Sequence, residues 1–500
     1  MPLQPPEIVY GPILPELILV GAGIVVLLVD AVRPSRDLRG IVAMTLVGLG
    51  AAAWAAVRLW GFSERFLEDQ LAGGTSPDEL RHAVLGDMVA VDRYTAFFRL
   101  VILAAAVAAV LLSHHYLQRT GEGRGEYYAL LLFATAGMTL LTASADLIMV
   151  FLSLEVLSLS LYVMAGFSRR RLASQEASLK YFLLGAFSSA FFLYGLALAY
   201  GAAGTTSLGG IAEALSGGTG TLVLALAASA LLAVGFAFKV AAVPFHMWTP
   251  DVYQGAPTSV TAFMAAGTKV AGFAALIRVA SVALGGVGWE LTPALYVISA
   301  LTMVVGSVLA IAQQDVKRML AYSSIAHAGF VLVGVTAANQ QGISGAMFYL
   351  VAYAAMIMGA FGVVILVSRR GEEHTSLESY RGLGRRNPVL AGLLALFMLS
   401  LAGIPPTAGF IGKVVVFQAA VDAGLSSLVV IAVLATVVAA FFYIRLIVLT
   451  YMYEPEEETR IATAPAPGLA LAAAAAVTLV LGVFPSLLLG VVGDAAVLRW

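Results

Sequence analysis

The chain of 500 residues has no cysteine and very little charge. Without cysteine it cannot form disulfide bonds, cysteine-ligated iron–sulfur clusters or thiolate zinc sites. Charged residues make up 11% of the sequence, whereas soluble domains carry about 25%. The net charge of −1 gives no support for a nucleic-acid partner. Only two of the six histidines lie in apolar runs and no nucleotide loop is visible, so we expect no cofactor and no metal in this chain.

Long apolar runs are what the chain has instead, and hydrophobic residues make up 60% of it. Runs of about 20 apolar residues fit membrane-spanning helices and do not fit the alternating strands of a barrel. The first ten residues hold no lysine or arginine, unlike a signal peptide, so we expect the first run to be a retained span. The sequence therefore predicts an all-α integral membrane protein surrounded by the lipid bilayer.

The apolar runs between polar breaks predict about 14 transmembrane helices. The predicted spans are 12–32, 39–60, 90–114, 127–143, 146–167, 177–200, 221–250, 257–282, 291–312, 317–337, 342–368, 388–420, 426–453 and 465–492. The seventh and the twelfth are long and contain proline, which frees backbone groups that lipid cannot satisfy. We therefore predict that these two spans are broken helices.

The distribution of arginine and lysine among the loops tests this count. Sixteen of these residues follow odd-numbered spans, namely Arg33, Arg36, Arg39, Arg119, Arg124, Arg169, Arg170, Arg171, Lys317, Arg318, Arg369, Arg370, Arg381, Arg385, Arg386 and Arg460. Three follow even-numbered spans or lie in the tails, namely Arg65, Arg81 and Arg499. Because basic loops stay inside, we predict that both termini lie on the outer, periplasmic or extracellular, side of the cell membrane.

With this orientation the chain contains two five-helix blocks that run in opposite senses. We predict a three-helix N-terminal segment at 1–126, a first repeat at 127–282, a second, inverted repeat at 291–453 and a C-terminal helix at 454–500. Each repeat has its broken helix in fourth place. Interrupted helices at corresponding places in two repeats indicate an ion site near the middle of the membrane.

Each broken span carries one lysine close to its prolines. Lys239 comes five residues before Pro244, and Lys413 comes seven residues after Pro406. A charge at the centre of a membrane helix costs roughly 2.5–3.5 kcal/mol on insertion scales, so it is expected where it has a function. Desolvation disfavours the charged form of a lysine and a nearby carboxylate favours it, which together suit a group that gains and releases a proton.

Glu155 lies in the fifth span and shares one helical face with Ser158 and Tyr162. A carboxylate inside the membrane normally faces the bundle interior and has a partner there. Two interpretations are open for Glu155. It could be a titrating group, or it could form a static ion pair with Lys180 or Lys239 that only joins helices.

Four further polar residues in the spans are candidates for proton transport. Lys180 could act in transport, or it could reach the interface and pair with Glu176 one turn away. Lys269 is too deep in the eighth span to reach the surface easily, so we expect it to have a function. His246 and His327 are candidate proton relays, although His246 could instead cap carbonyls at the break and His327 could join helices by hydrogen bonds.

The remaining polar residues of the spans have simpler interpretations. Asp146, Asp251, Asp315 and Lys317 fall at span ends, where a solvated charge costs little. Arg445 lies within the thirteenth span without an evident partner in the sequence. The tyrosines and phenylalanines are expected to be packing and interface residues rather than a quinone site.

Four segments resemble a known family. They are 174–189 (SQEASLKYFLLGAFSS), 238–257 (FKVAAVPFHMWTPDVYQGAP), 317–329 (KRMLAYSSIAHAG) and 401–413 (LAGIPPTAGFIGK). They resemble the subunit N family of the bacterial NADH-quinone oxidoreductase, respiratory complex I, and the similarity runs over most of the chain. The resemblance implies fourteen helices, two inverted five-helix repeats and a place among the antiporter-like subunits of a membrane arm. A lysine at 413 fits subunit N, because subunit M has a glutamate there.

The resemblance also implies roles for individual residues and for partners. Glu155 and Lys239 match the carboxylate of the fifth helix and the lysine of the first broken helix. Lys269 and His327 match the central polar axis, and Lys413 matches the terminal lysine. Other subunits of the holoenzyme would carry electrons from NADH to quinone through FMN and iron–sulfur clusters. The implied partners are subunit M and the small membrane subunits.

We therefore expect a proton-translocating subunit of an NADH:quinone oxidoreductase that has no redox centre of its own. Two alternatives remain open from the sequence. A subunit of a cation/proton antiporter would have the same fold without a redox partner, and a subunit of a membrane-bound hydrogenase would have a nickel–iron partner. The departures from the family are expected to be peripheral, in an acidic loop at 61–87 and a charged loop at 369–386.

Overall fold

The structure is a computed structural model that describes residues 10–32, 38–72, 88–217, 220–285, 288–368, 373–455 and 464–498. Side chains are described over the same ranges except 62–72 and 288–290. Nearly all of the described residues are helical, which confirms the predicted all-α class.

Thirteen helices in the described ranges are long and apolar enough to cross a membrane. They are α1 (Leu14–Val32), α2 (Arg39–Ala72), α3 (Arg93–Thr120), α4 (Gly125–Ala143), α5 (Leu147–Ala165), α6 (Leu172–Ala203), α8 (Leu222–Val240), α10 (Thr258–Ala283), α11 (Gly288–Ile311), α12 (Val316–Thr336), α13 (Gln340–Val367), α16 (Ser426–Met452) and α17 (Pro465–Val483). Shorter helices are α7 (Leu208–Ser216), α9 (Trp248–Gly255), α14 (Pro388–Ala402), α15 (Ala408–Asp422) and α18 (Ser486–Ala495). The interrupted pair α14 and α15 occupies the place of the remaining predicted span. Helix α2 continues to Ala72, so the predicted loop at 61–87 is helical at its start, and residues 73–87 lie outside the described ranges.

Both predicted helix breaks are confirmed. Helix α8 ends at Val240, because Ala241 takes a left-handed backbone conformation with φ of 61°, and the chain becomes helical again at α9. Helix α14 ends at Ala402, followed by Gly403 with φ of 84°, and α15 begins five residues after that glycine. Glycine adopts a positive φ at no steric cost, whereas Ala241 pays for it. Each break therefore leaves helix-terminal carbonyls inside an apolar segment.

Helices α10, α12 and α13 form the centre of the molecule. Every residue in the most apolar window of α10 is buried inside the protein, and α12 and α13 are almost as deeply buried. Helix α10 is also irregular, because π-helical turns occupy Met264–Thr268 and Val279–Ala283. Short π-helical segments inside α-helices often mark functional sites. These three helices carry the central part of the site described below.

Two equivalent sets of aspartate contacts, called the aspartate clasps below, connect the start of a helix to a distant Thr-Ser pair in each half of the chain. Asp146 caps the start of α5 and accepts a 2.7 Å hydrogen bond from the Thr206 hydroxyl. Its backbone also forms an isolated β-bridge with Ser207. Asp315 makes the same set of contacts at the start of α12 with the Thr-Ser pair at 375–376. Asp146 is only 5% exposed, so the expectation that it is a solvated span-end charge is wrong.

Candidate functional site

A narrow pocket between α5, α6 and α8 contains the first part of the site. Glu155, Ser158 and Tyr162 line it from one face of α5, as predicted, together with Ser189 of α6 and Lys239 of α8. Its volume of about 20 Å³ is enough for roughly one water molecule. The pocket therefore joins a carboxylate and an amine through small polar groups within an apolar bundle.

The hydrogen bonds in this pocket go through serine. Glu155 accepts a hydrogen bond from Ser189 Oγ, and Lys239 Nζ donates one to Ser158 Oγ at 2.9 Å. Among the described side chains, no ion pair joins Glu155 to Lys239 or to Lys180. The structure thus shows no direct ion pair for Glu155, and Lys239 bonds instead to Ser158, which lies about one turn after Glu155 on the same helix.

Lys239 lies in the last turn of α8 and is only 4% exposed. Its Nζ lies 5.9 Å from the centre of the Tyr181 ring, within the range of a cation–π contact. Gly272 of α10 faces the lysine stem so closely that a Cβ there would lie 3.4 Å from Lys239 Cγ. The small residue at 272 allows α10 to pack against Lys239, which places the amine beside the central helices.

Trp248 caps the first helix break, a role that the sequence analysis missed. Its indole N–H donates a 2.9 Å hydrogen bond to the carbonyl oxygen of Phe238, and its ring stacks on Tyr181 at 4.7 Å. His246 is only half-buried, and among the described residues its Nδ1 has no hydrogen-bond partner. Trp248 therefore caps the Phe238 carbonyl, and His246 also has a backbone hydrogen-bond partner at the break, Pro244. The proline-flanked Trp-Thr-Pro at 248–250 is the signal that could have indicated this.

Replacing Trp248 by phenylalanine tests this cap. We expect the variant to lose about 0.5–1.5 kcal/mol of stability, because the change removes one of the two hydrogen bonds that the Phe238 carbonyl oxygen accepts and keeps the one from the Ala241 backbone N–H. The measurement is the thermal unfolding of the purified complex, followed by release of this chain. The matched control is Trp54→Phe, because Trp54 is 57% exposed and its loss should change little. Equal stability of the two variants would show that the indole does not hold the break.

Lys269 lies immediately after the first π-helical segment of α10 and is only 2% exposed. Its Nζ donates a hydrogen bond to the backbone carbonyl of Ser324 in α12 and lies 5.8 Å from the centre of the Tyr353 ring. Tyr353 in turn donates to Ser324 Oγ at 2.8 Å. The predicted depth of Lys269 is confirmed, and its amine is held by the helix that carries His327.

His327 connects three of the central helices. Its Nδ1 lies 2.8 Å from the hydroxyl of Tyr349 in α13, and its Nε2 lies 3.1 Å from the hydroxyl of Tyr443 in α16. Ser323, one turn earlier on the same face of α12, also bonds to Tyr443. These two tyrosines and Tyr353 are buried in the core and also make hydrogen bonds that the sequence analysis did not foresee. The spacing of Tyr349 and Tyr353, one turn apart in an apolar helix, is a signal that could have found them.

Lys413 lies in α15 and reaches back across the second break. Its Nζ donates to the carbonyl oxygens of Leu401 and Ala402, at 3.3 and 3.0 Å, and it lies 4.7 Å from the centre of the Phe330 ring. These carbonyls belong to the last turn of α14, where the helix dipole is negative and favours a cation. Lys413 is only 4% exposed, so a buried amine is stabilised by backbone that the break itself released.

Lys180 lies apart from these groups, near the start of α6. It is 42% exposed and bonds to Glu176 at 2.7 Å and to Asp251 at 2.8 Å. Arg318 contacts the same aspartate at 2.6 Å. Burial alone would raise the pKa of Asp251, but the hydrogen bonds and positive charges of Lys180 and Arg318 lower it. The predicted pairing with Glu176 is confirmed, and the structure places Lys180 in a charged cluster at the surface.

Glu373 is a buried carboxylate that the sequence analysis missed. It lies in the charged loop between α13 and α14 and is only 7% exposed. It accepts hydrogen bonds from Tyr116, Arg171, Thr258 and Lys317, at 2.6 to 3.0 Å. These donors belong to α3, the start of α6, α10 and α12. The loop expected to be peripheral therefore ties together the ends of four spans, and this set of contacts is called the Glu373 clasp below.

The charges of the Glu373 clasp stabilise one another. Burial alone would raise the pKa of Glu373, but Lys317 and Arg171 outweigh burial and lower it to about 2. Lys317 was expected to be a solvated span-end charge, and this expectation is wrong because its side chain is 0% exposed. It also donates to the carbonyl oxygen of Ala256 at 2.6 Å. The carboxylate therefore stays ionised and holds two cations in place.

Arg445, which has no evident partner in the sequence, has one in the structure. Its guanidinium lies 3.3 and 3.4 Å from the carbonyl oxygens of Ile311 and Gln313, and 2.9 Å from Gln314 Oε1. These groups lie at the end of α11, whose last carbonyls have no partner within the helix. Arg445 therefore caps α11 from the neighbouring helix α16.

Taken in order from α5 to α15, half-buried Glu155 and the buried polar groups that follow it make up what is called the polar axis below. Its members are Glu155, Ser158, Lys239, Lys269, Ser324, Tyr353, Tyr349, His327, Tyr443 and Lys413. His327 lies within electrostatic range of both Lys269 and Lys413. Amines, an imidazole, a carboxylate and hydroxyls can all exchange protons, and water can connect neighbouring groups. Within the described ranges, no cluster of three or more histidine and carboxylate side chains could hold a metal ion.

Known proteins share both the sequence and this architecture. The family described as NADH:quinone oxidoreductase/Mrp antiporter, TM, matches residues 144–439. The NADH-quinone oxidoreductase subunit N of Rhodococcus opacus (strain B4) is 44% identical, over 98% of this chain and 96% of its own length. A chain of respiratory complex I from Thermus thermophilus with bound aureothin is 36% identical with a TM-score of 0.79, covering 96% of this chain and 100% of that chain.

A more distant structure has the same fold. A chain of the membrane-bound sulfane sulfur reductase, an archaeal respiratory membrane complex, is 27% identical with a TM-score of 0.85, covering 97% of this chain and 96% of that chain. The family match spans more than half of the chain, and the subunit N relative matches it almost from end to end. The chain therefore belongs to the NADH:quinone oxidoreductase/Mrp antiporter transmembrane family and, within it, to the subunit N family of NADH-quinone oxidoreductases.

Proposed function

We propose that this chain is a proton-translocating subunit in the membrane arm of an NADH:quinone oxidoreductase. The observation that carries the proposal is the polar axis, in which buried, proton-exchanging side chains line up across two broken helices. Buried charges in a membrane protein are costly and normally mark an ion pathway. The subunit N relative supports the same conclusion, because its name assigns it to an NADH-quinone oxidoreductase.

In this proposal the pocket around Glu155 is the switch. A change of charge beside Glu155 alters how strongly the carboxylate favours the protonated form of Lys239, which lines the same pocket. Lys239 then gains or releases its proton, and protons pass through Lys269 and His327 to Lys413, which exchanges with the outside. His246 is a less important proton relay near the first break. Lys180 takes part in proton transfer at the inner surface.

The chain itself supplies the amines, imidazole and hydroxyls for this transport. Other subunits would bind NADH and quinone and hold the FMN and the iron–sulfur clusters that carry electrons. An antiporter-like subunit M and the small membrane subunits would be its neighbours in the arm. Purifying the native complex and identifying its subunits distinguishes this function from a cation/proton antiporter, which would lack flavin and iron–sulfur subunits, and from a hydrogenase, which would contain nickel and iron.

The arrangement in the membrane is part of the proposal. The two matching aspartate clasps lie at equivalent places in the two five-helix blocks, which supports repeats at 127–282 and 291–453 between a segment at 1–126 and a C-terminal helix at 454–500. The loop charges support outer termini in the cell membrane and an inner location for the Glu373 clasp. Inverted repeats would place the two breaks on either side of a common centre.

Replacing Glu155 by glutamine tests the switch. The side chain keeps its size and can still bond to Ser189, but it loses the negative charge that favours protonated Lys239. We expect NADH-driven proton translocation in reconstituted vesicles to fall at least about tenfold while the complex still assembles. The matched control is Glu126→Gln, because the Glu126 side chain is 51% exposed on α4. If Glu155→Gln pumps like this control, the proposed role of the pocket is wrong.

A further inference from the structure

A large pocket with four arginines in its lining, called the arginine pocket below, lies beside the Glu373 clasp. Its volume is about 650 Å³, which is within the range of small-ligand sites. It lies between the turn that joins α3 to α4 and the turn that joins α5 to α6. Its charged lining consists of Arg124, Arg169, Arg170, Arg171, Glu122 and Glu373. The charge asymmetry of the loops places this pocket on the inner face of the membrane.

The two carboxylates of this arginine pocket are already engaged. Glu373 accepts hydrogen bonds from Arg171 and from the buried amine of Lys317, each at 3.0 Å. Glu122 accepts a 2.6 Å hydrogen bond from Ser168 Oγ. Neither carboxylate therefore balances the arginines that face the opening of the pocket.

The other three arginines of the pocket have little compensation. Within the described ranges, Arg169 and Arg170 form no ion pair, and both are exposed. Arg124 reaches Glu126 only at 4.0 Å, with both side chains about half exposed. An exposed pair at that distance contributes almost nothing. The arginine pocket therefore presents an excess of positive charge to whatever enters it.

An apolar line begins at the rim of the arginine pocket. Helix α6 starts directly after Arg171, and Leu172, Leu179 and Leu183 follow on one face, with exposed fractions of 81%, 58% and 56%. This face runs from the inner surface into the hydrocarbon layer. The site thus has a cationic pocket at headgroup level and an apolar surface that descends from it.

We propose that the arginine pocket binds the phosphate headgroup of an anionic phospholipid, whose acyl chains lie along α6. Guanidinium groups match phosphate oxygens in geometry and charge. Basic pockets at the cytoplasmic side of membrane proteins attract anionic lipids. A free phosphate ion has the same headgroup chemistry but makes no use of the apolar line. The binding rests on the proposed orientation and is independent of the proton pathway.

The test uses the purified, delipidated complex in neutral detergent. It is titrated with short-chain phosphatidylglycerol, with short-chain phosphatidylcholine and with inorganic phosphate, while hydrogen–deuterium exchange is measured in 119–125 and 167–171. We expect protection by phosphatidylglycerol alone. In the double variant Arg169→Gln with Arg170→Gln, the half-saturating concentration should rise at least about tenfold. The matched control Arg385→Gln removes an exposed inner-face arginine, 69% exposed, and should bind like the wild type.

The possible outcomes separate clearly. Unchanged binding in the double variant, or equal protection by phosphatidylcholine, would overturn the proposal. Equal protection by inorganic phosphate would also overturn it, in favour of a free-anion site. The wild-type complex gives a second measure that needs no variant, because raising the ionic strength from about 0.1 M to about 1 M should weaken phosphatidylglycerol binding through charge screening. Binding that ignores salt would show that the arginines do not hold the headgroup.

Discussion

Arginine in place of Lys239 is expected to stop proton translocation as completely as methionine does. Arginine keeps the positive charge but has a pKa above about 12 and does not release its proton, whereas methionine removes the charge. A role in holding helices together through charge would be rescued by arginine, and a role in transferring a proton would not. We expect the initial rate of NADH-driven proton translocation to fall at least about tenfold in both variants, in line with the contribution of a proton-transferring group.

The measurement for Lys239 is proton uptake or release by vesicles that contain the purified complex, together with the amount of this chain in the complex. Arg385→Gln serves as the control, because it removes a cation from the exposed surface. Lys239 is only 4% exposed and donates to Ser158, so a substitution could impair folding. The incorporation of this chain into the complex is therefore checked for each variant. Full pumping by the arginine variant would contradict the proton-transfer role and leave Lys239 as a structural cation.

Glutamine in place of Glu373 is expected to cost about 3–5 kcal/mol of stability, because it leaves the buried amine of Lys317 without a counter-ion. The shift in the pKa of Glu373 from 4.5 to about 2 corresponds to about 3 kcal/mol, which agrees with that range. Glutamine can still accept hydrogen bonds from Tyr116 and Thr258 through its one oxygen. Its amide nitrogen cannot accept from Arg171 and Lys317, so the loss combines the charge with these two hydrogen bonds. The measurement is the thermal stability of the complex, with protease sensitivity of the loop that carries Glu373 as a second readout.

A second change should restore part of this stability. Lys317→Met added to Glu373→Gln removes the uncompensated amine. The stability loss of the double variant should therefore be smaller than the sum of the losses of the two single variants. If the losses simply add, the two side chains do not interact as the structure shows. Arg385→Gln again controls for removal of charge at the exposed surface.

The pH dependence of the Glu373 clasp has a defined sign. The folded pKa of Glu373 is lower than the usual value, so its stabilising effect is complete above about pH 4.5 and is lost as the pH falls toward about 2. The wild-type complex should therefore lose stability steeply across that window, and Glu373→Gln should lose less of it there. Glu373 itself does not change its charge near neutral pH.

The offset between the two lysines has a structural explanation. Lys239 lies in the last turn before its break, and Lys413 lies in the helix after its break. Lys413 reaches back to the carbonyls released at its own break, whereas at the first break the Phe238 carbonyl is capped by Trp248 and Lys239 turns to Ser158. The first amine is thus free to respond to Glu155, and the second is held by backbone. This difference supports a division of roles between them.

The sequence by itself determined the spans, the two breaks and the buried amines of this protein. Those signals are local, because a charge or a proline inside an apolar run is unfavourable wherever the run folds. Only the tertiary structure showed the partners of Glu373 and the tyrosines around His327. Tyr116 and Glu373, for example, are 257 residues apart in the chain. Such contacts depend on how the helices pack. An apolar helix can pack with any of its faces toward the interior, so its own sequence does not specify which distant residue it contacts.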